Sequence, residues 1–129
     1  MDSGVIRRRL ALAAAVLTAS GLLALAVPGN AQAAAYCSGR KVRTLPFSSG
    51  SVQVYKRSGG YVCAVTLTKK PGRRASMAVS VQARGSRAVV DTGRFTHHAG
   101  PVTVHAGHRC VRVRGSVGPG SVSTGWILC

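Results

Sequence analysis

The side chains able to do chemistry are supplied unevenly in this sequence. Eighteen Lys and Arg face only two acidic residues, Asp2 and Asp91, and with its four histidines neutral the 129-residue chain carries a formal charge of +16. Hydrolysis by paired carboxylates needs two acidic groups flanking one bond, whereas Asp91 is the only acidic residue after position 2. A Ser-His-Asp arrangement can be written from the many serines, the histidines and Asp91. No G-x-S-x-G elbow places a nucleophile, however. Cys37, Cys63, Cys110 and Cys129 are widely spaced, with no C-x-x-C pair to hold zinc, and once joined in disulfides they leave no thiol nucleophile. The expectation is a protein that is not an enzyme and carries no cofactor.

The four histidines are candidate metal ligands. His97-His98 and His105-x-x-His108 flank Ala99-Gly100-Pro101. A hairpin-like turn there would bring His97 or His98 near His105, in the manner of a Zn or Cu site. Adjacent strand residues point to opposite faces, so at most one of the pair contributes. Beyond Asp91 there is no acidic group to orient the imidazoles. Exposed or hydrogen-bonded histidines, and no metal, are therefore expected.

The cations are more informative. Lys69, Lys70, Arg73 and Arg74 cluster around a predicted loop, and Arg109, Arg112 and Arg114 are assigned to one late strand. Such groups favour anionic partners, with an attraction that weakens in salt. Single-strand nucleic-acid binders interleave stacking aromatics; here the aromatics number three Tyr, two Phe and one Trp. No nucleic-acid-binding motif is present, so no specific nucleic acid is expected. The expected partners are anionic cell-wall or spore-surface polymers. The alternative is a secreted antagonist, antimicrobial or protease-inhibiting, that presents the Lys69-Lys70-Pro71-Gly72 loop from a rigid disulfide scaffold.

Positioning these groups falls to a short domain behind an export signal. Arg7, Arg8 and Arg9 precede an apolar stretch from Leu10 to Val27; Pro28-Gly29 breaks it and Ala31-Gln32-Ala33 supplies a small-x-small cleavage site. Residues 1–33 are assigned as a secretory signal peptide, only transiently in the membrane. The Ala-rich composition and the immediate break disfavour a permanent anchor. Cleavage after Ala33 leaves residues 34–129 as one extracellular domain, expected to be monomeric, with fifteen Lys and Arg against Asp91. A chain that short buries a modest core and needs covalent help. In an oxidising compartment four cysteines read as two disulfides. Of three possible connectivities, Cys37–Cys63 with Cys110–Cys129 is favoured, because it ties each terminal segment to a neighbouring strand. Each bridge should contribute roughly 3 kcal/mol through loop closure.

Alternation of period two marks the strands. Val52 and Val54 alternate with Gln53 and Tyr55; Tyr61, Cys63, Val65 and Leu67 alternate with Val62, Ala64, Thr66 and Thr68. Met77 to Ala83, Val102 with Val104, and Val111 with Val113 follow. Ser48-Ser49-Gly50, Ser58-Gly59-Gly60, Lys69-Lys70-Pro71-Gly72, Arg84-Gly85-Ser86 and Gly118-Pro119-Gly120 read as turns. The predicted fold is all-β, a small antiparallel sandwich or barrel of about seven to nine short strands. Cys110 shares a parity with Arg112 and Arg114, opposite Val111 and Val113. The C-terminal segment is therefore expected to fold over that face and to shelter Trp126.

Several stretches together resemble the spore-associated protein A family of streptomycetes. They are Tyr36-Cys37-Ser38-Gly39, Gly60-Tyr61-Val62-Cys63-Ala64-Val65-Thr66-Leu67, Asp91-Thr92-Gly93-Arg94-Phe95, Ala99-Gly100-Pro101-Val102, Cys110-Val111 and the terminal Cys129. The most distinctive part is D-T-G-x-F followed by A-G-P-V. The chain differs from the expected pattern in His97-His98, where an aromatic pair is expected, and in its higher charge. The resemblance implies a small secreted protein found with spores or the aerial cell surface, and it supplies no catalytic residues.

Overall fold

The computed structural model describes residues 33–129, so the signal peptide assigned to 1–33 lies outside the described residues except for Ala33. After one helical turn over residues 33–36 the chain forms eight strands. These are β1 (Arg40–Phe47), β2 (Gly50–Arg57), β3 (Tyr61–Thr68), β4 (Ala75–Ala83), β5 (Val89–Phe95), β6 (His98–His105), β7 (Val111–Val117) and β8 (Gly120–Ser123). They pair antiparallel in two four-stranded sheets, ordered β1-β2-β3-β6 and β5-β4-β7-β8.

The core between the sheets is built mainly from valines. Val52, Val54, Val62 and Ala64 of one sheet and Met77, Val79, Val81, Val111 and Val113 of the other belong to a single buried cluster, joined by Val102 and Val104. Branching at Cβ stiffens these side chains and suits them to a half-buried pleated surface. One polar group enters this layer. Thr66 is fully buried, and its hydroxyl donates to the Ala78 carbonyl of the opposite sheet at 2.9 Å. Gly115 makes room for it: a Cβ there would lie 2.6 Å from Thr66 Oγ1 and 2.2 Å from Val52 Cγ2.

The two parities of β3 are both apolar because both faces are covered. Val62 and Ala64 face the core, while Cys63, Val65 and Leu67 form a second buried cluster with Tyr55 and Cys37, against which Tyr36 packs. Cys37 is bonded to Cys63, and Cys110 to Cys129, the favoured pairing. The C-terminal segment lies along β7. Val111 and Ile127 exchange two backbone hydrogen bonds of 2.8 Å, and Trp126 is half-buried beneath the Arg112 guanidinium, 4.4 Å from its ring centroid.

Candidate anion-binding end

Four connections meet at one end of the sandwich: the β1–β2 turn, the β3–β4 loop, the β5–β6 link and the β7–β8 turn. Backbone hydrogen bonds stitch them together. Lys69 N–H donates to Ser49 O at 3.1 Å, and Gly72 N–H to Thr96 O at 2.9 Å; Ser49 Oγ donates to Val117 O at 2.6 Å. The loop that carries Lys69, Lys70, Arg73 and Arg74 is thereby held in place, with all four side chains exposed.

Arg94 joins this group. It pairs in register with Ser76 of β4, two residues after Arg74, and the two arginines line one cleft. Arg74 lines two adjoining clefts. One, of about 300 Å³, runs past Lys69, Lys70 and Arg73 toward Pro119. The other, of about 450 Å³, is lined by Tyr36, Asp91, Arg94, His97 and His98.

The remaining predicted cations are placed elsewhere. Arg109 precedes β7 instead of lying on it, at the opposite end of the sandwich. Its guanidinium donates to Ala106 O (3.1 Å), Arg84 O (3.3 Å), Ser86 Oγ (2.8 Å) and His105 O (2.8 Å). Those donors are spent on holding two connections together. Arg112 lies on Trp126, while Arg114 is exposed and lines a shallow depression with Val90. The predicted strand patch is thus divided among an internal clamp, a ring contact and one free-standing cation face.

The histidines are separated in the same way. Ala99-Gly100-Pro101 does not turn the chain; it lies inside β6, which puts His98 and His105 at opposite ends of one strand. Seven residues of strand are about 23 Å, so the two imidazoles share no site. His105 Nε2–H donates to Gly59 O (2.9 Å), and the ring lies against Tyr61. His98 stacks on Tyr36 with ring centroids 3.9 Å apart, and its Nδ1 is buried with no hydrogen-bond partner among the described residues. Burial, and then the neighbouring His97, make His98 harder to protonate than a free histidine; Asp91 opposes them. Among the described residues Asp91 is the one acidic side chain, and its Oδ2 accepts from Gly100 N–H at 2.7 Å.

Sequence reasoning missed Arg94 and the cleft. The only signal was the place of Arg94 in D-T-G-R-F; its pairing with Ser76 depends on a register that linear spacing does not contain. Comparison with known proteins returns no matching family model, no similar curated protein and no similar solved structure.

Proposed function

We propose that this is a non-enzymatic secreted protein that adheres to anionic polymers of the spore or cell envelope through the basic end of its sandwich. The observation that carries the reading is the gathering of Lys69, Lys70, Arg73, Arg74 and Arg94 around two adjoining clefts. Five cations on a surface pre-formed by backbone hydrogen bonds bind a polyanion with little ordering cost. The net field at this end is positive, because five cations are set against the single carboxylate of Asp91. Two disulfides suit an oxidising, extracytoplasmic compartment. The resemblance to spore-associated proteins points to the same location.

The loop conformation favours adhesion over protease inhibition. Lys70 N–H donates to Thr68 Oγ1 at 3.2 Å and Arg73 N–H to Lys70 O at 3.4 Å, so Lys69-Lys70-Pro71-Gly72 is folded into a turn. Strand-type recognition of a peptide needs extended backbone, which this loop does not offer.

Sedimentation with purified cell walls tests the proposal. Reversing Lys69, Lys70, Arg73 and Arg74 to Glu should lower binding at least about tenfold at low ionic strength, and wild-type binding should decline steadily with added salt. Wall binding that survives about 1 M salt unchanged, or that is indifferent to the four reversals, overturns it.

A further inference from the structure

We propose that the cleft between Arg74, Arg94, Asp91, His97 and His98 is a subsite for a hydroxyl-bearing phosphate ester, such as one glycerol phosphate unit. It rests on the reading of this end as the polyanion-binding surface, and it names the group that seats there. Arg74, in the loop just before β4, and Arg94, on the neighbouring β5, offer two planar forks, and a tetrahedral anion with several oxygens can accept from both. A planar carboxylate is already satisfied by one fork. His97 and His98 line the same cleft.

A carboxylate in an anion site needs a reason, and Asp91 supplies the selectivity. Among the described residues only its Oδ2 is engaged, by Gly100 N–H; a carboxylate has about four acceptor positions. The unused positions can accept from a hydroxyl of the ester's polyol, or more weakly from the proton of inorganic phosphate. Sulfate carries no such proton near neutral pH and meets only repulsion there. The buried Nδ1 of His98, without a hydrogen-bond partner among the described residues, is a second sign of a polar site whose hydrogen bonds are incomplete. The ring is positioned by its stack on Tyr36, so a ligand finds it already oriented.

Titration of the oxidised protein, with the histidine imidazoles observed by NMR at neutral pH and low salt, tests this. Glycerol phosphate should shift the His97 and His98 signals saturably and leave His105 and His108, at the far end, in place. Inorganic phosphate should bind more weakly, and sulfate at least about fivefold more weakly than the ester. Arg94→Gln should weaken the ester at least about fivefold, while Arg87→Gln, at the other end of the sandwich, has no effect. Asp91→Asn should shrink the ester-to-sulfate ratio. The subsite is overturned if the ester produces no saturable shift at His97 and His98, if all four histidines move together, or if sulfate matches the ester. Wall binding that persists in the absence of His98 shifts removes the subsite and leaves the adhesion reading standing; saturable ester binding without wall binding does the reverse.

Discussion

The carboxylate of Asp91, on β5, accepts a 2.7 Å hydrogen bond from the backbone N–H of Gly100, on β6. These are edge strands of different sheets, so the bond clasps the sandwich along one open side. It also unites two sequence stretches that look independent, D-T-G-R-F and A-G-P-V. Gly100 has no latitude at this point: its φ is +91°, and a Cβ would approach Val79 Cγ1 at 3.0 Å and Ala64 O at 3.1 Å. The clasp therefore has one geometry.

Removing the acceptor should be costly. Asp91→Ala orphans the Gly100 N–H and is expected to destabilise the domain by about 1–3 kcal/mol, or a fall in Tm of about 4–8 °C per kcal/mol for a domain of this size. Asp91→Asn keeps an acceptor oxygen and should recover most of the loss. Thermal unfolding of the three proteins checks this, and equal Tm values for Ala and Asp would refute the clasp.

Much of the fold is legible because burial follows parity. Val52, Val54, Val62, Ala64, Val79, Val81, Val111 and Val113 all sit where alternation puts them, in the layer between the sheets. β1 was less legible for a physical reason. Its half-buried residues are Val42, Leu45 and Phe47, and the step of three between the first two comes from a bulge between Lys41 and Arg43. Ala99-Gly100-Pro101 carries turn residues yet lies inside a strand, beside a register shift in the β3–β6 pairing. The candidate site divides along the same line. The Lys69–Arg74 loop is local and could be read directly, whereas Arg94 and Asp91 reach the cleft through non-local pairing.

Arg109 illustrates how a surface cation in the sequence becomes a structural part. Its guanidinium bridges the β4–β5 connection, through Arg84 O and Ser86 Oγ, to the end of β6, through His105 O and Ala106 O. Arg109→Ala should cost about 1–3 kcal/mol, more than truncation of an exposed arginine without such partners. Arg87→Ala, from the same connection, supplies the comparison. Hydrogen exchange should locate the Arg109→Ala loss in residues 84–88 and 105–110, and uniform loosening would contradict the clamp.

His98 gives the domain a pH dependence of definite sign. Burial and the charge of His97 depress its pKa below 6.5, with Asp91 opposing. Arg74 and Arg94 line the same cleft, and the Tyr36 ring covers one face of the imidazole. As pH falls through about 6.5 the unfolded chain takes up a proton that the folded chain resists, so stability declines until the folded His98 also titrates, then levels. His98→Gln should flatten this part of the Tm profile between about pH 7 and 5. An unchanged slope in the variant would assign the dependence to another group.

The C-terminal segment should depend on its disulfide more than on its own contacts. Residues 124–129 hold to β7 through the Val111–Ile127 bridge, the Thr124 Oγ1 that accepts from Val113 N–H at 3.0 Å, and Trp126 beneath Arg112. A segment that short gains little from three backbone bonds once its end is free. The Cys110–Cys129 link closes a loop with a sequence separation of 19; loop closure of that length is worth about 3 kcal/mol. Cys110→Ser with Cys129→Ser should therefore lower Tm by on the order of 10–20 °C and shift Trp126 emission to the red as the indole meets water. If emission stays at the wild-type wavelength while Tm falls, the backbone bridge alone retains the segment and the disulfide acts on the unfolded chain only. If neither changes, the cation–ring contact and the bridge hold the terminus without covalent help.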